Sequence, residues 1–134
     1  MSELLVEENT QDTTVVERVV SYPIKQVWCA FLRPEGQAAF LGEGGTLGDK
    51  GDKWQAVDGS FGVTRSYHPM EEIRFSWHAD EDAPRTWVDV RFEKVDDAST
   101  RLRIEHDHRG VEIDGPRMQA RWEAALDHLA AGVS

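Results

Sequence analysis

Residues 86–109, TWVDVRFEKVDDASTRLRIEHDHR, decide the fold. Val88, Val90 and Phe92 alternate with Asp89, Arg91 and Glu93; Leu102, Ile104, His106 and His108 alternate with Arg101, Arg103, Glu105 and Asp107. Such a period of two belongs to strands with one covered face and one wet face. Asp96-Asp97 joins the runs by a turn too short for a crossover, so the strands pair antiparallel. The run at 72–78 divides the same way, with Ile73, Phe75 and Trp77 opposing Arg74, Ser76 and His78. A sheet of this kind needs an apolar cover.

Downstream, the C-terminal segment supplies that cover. Asp114 is a cap candidate and Pro116 sits just inside a helix start. Met118, Trp122, Ala125, Leu126, Leu129 and Val133 form one helical stripe, with Arg117, Arg121, Glu123, Asp127 and His128 off it. Upstream, strands are expected at 54–58 and 61–68, parted by Gly59-Ser60 and closed by Pro69. Before them stands a glycine-rich connector, 42–53, which lacks the spacing of a phosphate loop. Earlier still come a β-branched strand at 14–21 and two short helices, 24–32 and 35–41. Ser21 is a candidate cap, and Pro23 is placed in the first helix's first turn. Residues 1–13 are expected to be a flexible acidic tail, and 14–134 a single domain.

Composition narrows the function. A net charge of −10 argues against nucleic acid and anionic membranes, both of which need a basic footprint. No apolar run approaches the ~20 residues of a membrane span, so membrane insertion is not expected and the expected location is the cytoplasm. Cys29, the single cysteine, cannot form an internal bridge and is expected as a small buried filler.

His106 and His108 share the covered face of one strand, and a His-x-His pair there can bind a metal, orient a ligand, or simply be hydrogen-bonded. No third ligand stands nearby in sequence, and neither a metal nor a cofactor is expected. Arg65 alternates with Phe61, Val63 and Tyr67, which places a guanidinium either on the apolar face, where it needs a ligand carboxylate or an internal acid, or, with the register shifted, at the surface. Trp28, Phe40, Phe61, Phe75, Trp77, Phe92 and Trp122, with Val90, Ile104 and Leu126, either fill the interior or line an apolar cavity. Trp87 falls on the charged face, at an edge or a subunit contact. No serine stands in a nucleophile elbow, so no catalytic residue is assigned.

The segment VVSYPIKQVWCAFLRPEGQAAFLG, 19–42, resembles the opening of the SRPBCC/START-like superfamily, where a strand leads into a P-x-x-x-V-W-x-A helix and a P-E helix. DGSFGVTRSYHPMEEIRFSW, 58–77, resembles the paired central strands of its activator of heat-shock-protein-90 ATPase homologue branch, and TRLRIEHDHRG and RWEAALDHL fit that branch's last strand and closing helix. The resemblance implies an α+β helix-grip fold of the Bet v 1 type: a curved six-stranded antiparallel sheet around a long C-terminal helix, ordered β-α-α-β-β-β-β-β-α. It further implies a cavity for a lipid, a polyketide or another apolar molecule. Three functions follow from it: a carrier or sensor of a small hydrophobic molecule, an enzyme of the polyketide cyclase/dehydratase type, or a co-chaperone-like interaction module. For the first, Arg65, Tyr67, His106 and His108 would orient the ligand's polar end. A chaperone partner belongs to the third, and the chain is expected as a monomer or homodimer.

Overall fold

The computed structural model describes residues 2–9, 13–108 and 115–133. In chain order the elements are β1 (Ser2–Asn9), β2 (Thr13–Val20), α1 (Ile24–Leu32), α2 (Pro34–Leu41), β3 (Lys53–Gln55), β4 (Phe61–His68), β5 (Glu72–Trp77), β6 (Thr86–Asp96), β7 (Ser99–Asp107) and α3 (Gly115–Val133). The strands form one antiparallel sheet in the order β1-β2-β7-β6-β5-β4-β3. Helix α3 lies across its inner face, so the helix-grip arrangement and the element order from β2 onward are those expected.

The amino-terminal segment departs from expectation. Read as a flexible tail, it instead supplies β1, which pairs antiparallel with β2 along Ser2–Asn9 and makes the sheet seven-stranded. The physical reason lies in β2: Val15 and Val16 are both buried, on opposite faces, and an open edge beside such a strand would leave a row of backbone donors and acceptors unpaired.

At α1 the chain bends at Pro23, which is the N-cap residue rather than a first-turn residue. No side-chain cap closes the helix, so Ser21 does not play that part; Gln26 N–H and Val27 N–H donate to Pro23 O instead, at 3.0 and 3.1 Å. Arg33 is extended (φ −69°, ψ 153°), as a residue before proline should be, and α2 starts at Pro34. Gly36 lets the helices meet closely: a Cβ there would run into the backbone of Ala30 and Phe31. Asp114, the expected cap of α3, lies outside the described residues.

The glycine-rich connector is pinned. Gln37 Oε1 accepts from Leu47 N–H at 2.6 Å, and the ladder from Gly51 and Asp52 to Thr64 fixes its far end at 2.7 and 2.9 Å. Beneath α3, Val16, Val20, Ile73, Phe75, Val88, Val90, Leu102 and Ile104 meet Trp122, Ala125, Leu126 and Leu129, all essentially excluded from solvent. Arg18 also points inward from β2 and is paired with Asp127 on α3. Among the described residues no helix is long and apolar enough to cross a membrane.

Candidate functional site

The interior is graded along the sheet. At the α1–α2 end, rings pack edge to face: Trp28 on Tyr67 (5.7 Å between centroids) and Phe92 (5.0 Å), and Phe31 on Phe92 (5.4 Å) and Phe40 (5.1 Å). Phe40 then meets Trp122 at 6.4 Å, with Val90, Ile104 and Leu126 fully buried around them. Phe75 packs on Trp54 at 5.9 Å. The residues expected to line a cavity here touch one another, and this end is hydrocarbon packed on hydrocarbon.

At the other end the interior turns polar. Trp122 Nε1 lies 3.2 Å from His106 Nδ1, and His106 Nε2 lies 2.8 Å from Thr86 Oγ1, which is 2.7 Å from Trp77 O. An indole N–H can only donate and a carbonyl can only accept, which fixes the direction of the whole chain. Trp122 donates to Nδ1, Nε2–H donates to Thr86, and Thr86 donates to Trp77 O. His106 is therefore neutral, with both ring nitrogens engaged. Burial, reinforced by His108 and Arg121, holds its pKa down to about 3. Such an imidazole does not take up a second proton near neutral pH.

His108 stands 5.7 Å from His106, ring to ring, and is bonded through Nε2 to the buried Thr14 Oγ1 at 3.1 Å. From α3, Arg121 lays its guanidinium 5.3 Å from the ring centres of both Trp77 and Trp122 and donates to Phe40 O at 3.4 Å. Burial lowers its pKa, and Asp58 opposes that. Asp58 is in turn held below the usual carboxylate range, chiefly by the Ser60 hydroxyl at 2.6 Å, with a smaller contribution from Arg121. Several buried polar atoms here have no partner among the described residues: His108 Nδ1, Trp77 Nε1 and Arg121 Nε. Buried polar atoms are normally satisfied; Arg18 Nε and Thr64 Oγ1, also in the interior, lack a partner among the described residues too.

Two expected site residues stand elsewhere. In the β4–β5 ladder Thr64 faces Phe75 and Ser66 faces Arg74, so Arg65 is the extra residue of a β-bulge. The bulge reverses the side-chain parity. Tyr67 faces inward, whereas Phe61 and Val63 lie on the outer side and Arg65 is exposed, against Trp87. Phe61 stacks flat on His78 at 4.4 Å. Cys29, expected as buried, is exposed on the outer side of α1. Among the described residues no three metal-binding side chains converge.

Arg121, Thr14 and Thr86 were not singled out by the sequence reading. Arg121 had a legible signal: it lies three residues after Met118 and four before Ala125, on the flank of the apolar stripe, where a long side chain can reach inward. Two open grooves lie away from this end. One, of about 470 Å³, runs between the α1–α2 junction and the last turns of α3, lined by Arg33, Gly36, His128 and Leu129. Another, of about 460 Å³, faces outward against Trp54, Phe61 and His78.

Solved structures share this architecture. CalU16 from Micromonospora echinospora superposes with a TM-score of 0.74 at 22% identity, covering 100% of this chain and 87% of its own. DynU16, from the dynemicin biosynthetic locus, gives 0.74 at 22% identity, covering 91% of this chain and 47% of its own. CV1439 from Chromobacterium violaceum gives 0.69 at 23% identity, covering 90% and 96%. No functionally curated protein matches the sequence. The profile of one family matches residues 21–134, nearly all of the fold just described, and the chain belongs to that family, the Activator of Hsp90 ATPase homolog 1-like proteins.

Proposed function

We propose that this protein binds a small, largely apolar molecule between the sheet and α3, as a carrier or sensor, with the molecule's polar end at Trp77, His108 and Arg121. One observation carries the reading: three buried polar atoms without a partner among the described residues, Trp77 Nε1, His108 Nδ1 and Arg121 Nε, gather at one end of the interior. Two of them are donors outright, and Arg121 carries a positive charge, so the complementary ligand end is a carboxylate, a phenolate or a carbonyl. DynU16's setting in a biosynthetic locus supports a small molecule over a chaperone partner. An enzyme of the cyclase/dehydratase type gains nothing from His106, whose nitrogens are both committed and whose pKa of about 3 removes it from acid–base work.

Native mass spectrometry of freshly purified protein, followed by solvent extraction, tests the proposal. A bound mass that is lost in Arg121→Gln, while that variant keeps its fold by circular dichroism, is the expected result. A wild-type protein that carries no mass, and whose melting temperature no long-chain fatty acid or polycyclic aromatic acid raises, would sink it.

A further inference from the structure

The outer face of the sheet holds two sorts of arginine. Arg91 meets Glu72 and Asp89 (3.1 and 3.5 Å), Arg101 meets Glu17 and Glu93 (3.6 and 3.4 Å), and Arg103 meets Glu17 and Glu105 (3.0 and 3.6 Å). Arg65, Arg74 and Arg85 meet no carboxylate among the described residues, although the chain carries a net charge of −10. Instead all three gather on Trp87, their guanidinium carbons 5.3, 5.8 and 5.2 Å from its ring centre. Arg74 even stands opposite Asp89 in the ladder, but Asp89 is engaged by Arg91 and Arg74 turns to the indole. The bulge at Arg65 completes the group by turning that side chain outward.

Beside this patch, in the loop between β5 and β6, stand Asp80, Glu81 and Asp82, all exposed. The loop is fixed: Asp82 N–H donates to Asp80 Oδ1 at 2.9 Å, Ala83 N–H to Asp80 O at 3.1 Å, and His78 Nδ1–H to Ala83 O at 3.0 Å. Glu81 and Asp82 form no ion pair among the described residues. Cations and anions that do not meet within one chain, yet share one rigid face, are self-complementary about a twofold axis. The arginines are held in place by the indole, so little freedom is lost when carboxylates arrive, and tryptophan and arginine are the residues that anchor interfaces.

We propose that this face is the interface of a homodimer, in which Trp87 and its three arginines receive the Glu81–Asp82 loop of a second copy, and the reverse. Sedimentation velocity of the full chain across micromolar to submillimolar concentrations tests it. Wild type is expected to dimerise, and Arg85→Glu and Asp82→Arg each to weaken self-association about tenfold or more. An equimolar mixture of the two variants is expected to restore the dimer, because each new charge then faces its opposite. A monomeric wild type overturns the proposal, as does a dimer unmoved by both reversals. If both variants weaken self-association but their mixture stays monomeric, the arginine patch and the Glu81–Asp82 loop do not face one another across the dimer, and the proposal falls.

Discussion

At the scale of single residues, His106 shows how a polar side chain can be structural in a covered face. It receives Trp122 N–H and donates to Thr86, and removing it strands both. His106→Leu should cost about 3 kcal/mol at pH 7, read from urea denaturation. The pH response follows from the same geometry. The folded imidazole stays neutral down to pH about 3, whereas the unfolded chain takes up a proton near 6.5. Its contribution is therefore whole above pH 6.5 and is lost as the pH falls toward 3, amounting to about 2 kcal/mol between pH 7 and pH 5. His106→Gln, which can still accept from Trp122 and donate to Thr86, should lose less stability than wild type over that interval. Equal losses would show that the imidazole is not buried neutral. That His106 and His108 face inward was legible from alternation alone; that one is saturated and the other is left with an orphan nitrogen depended on Trp122, sixteen residues away in sequence.

Among elements, β4 is where period-two reading failed. Its alternation is regular on each side of Arg65, but one inserted residue inverts the second half relative to the first. Nothing in the residue types of 61–68 announces a bulge; the register is set by which residues of β5 the strand must cover. The same strand carries a glycine with a steric duty. An added Cβ at Gly62 would strike Ser76 O and crowd Trp54 Nε1, which itself donates to Ser76 O at 3.2 Å. Gly62→Ala should therefore destabilise by about 3 kcal/mol and lower the melting temperature. Gly59→Ala, open around its Cβ position but at φ 96°, should cost about 1 kcal/mol through backbone strain alone. Reversed ranks in thermal denaturation would mean that the β4–β5 approach is looser than the structure has it.

On the scale of the whole molecule, the interior and the outer face have separate chemistry, and each makes its own demand. A ligand bound between sheet and α3 stabilises the folded state by mass action, about 3 kcal/mol at a hundredfold excess over Kd, which should raise the melting temperature by several degrees. Because Trp77 and Trp122 flank Arg121 at the polar end, that rise should come with a change in tryptophan emission. Dimerisation through Trp87 should leave the ligand-linked shift intact in Arg85→Glu. The sequence by itself determined the covered and wet faces of β5, β6 and β7, the apolar stripe of α3, and the paired helices broken at Pro34, since each rests on a period or a residue within one element. Only the tertiary structure decided the fate of Arg65, the inward turn of Arg18 and Arg121, and the strand formed by the acidic amino-terminal segment. Each of those was settled by which distant backbone, ring or carboxylate stands opposite, which local spacing at most hints at.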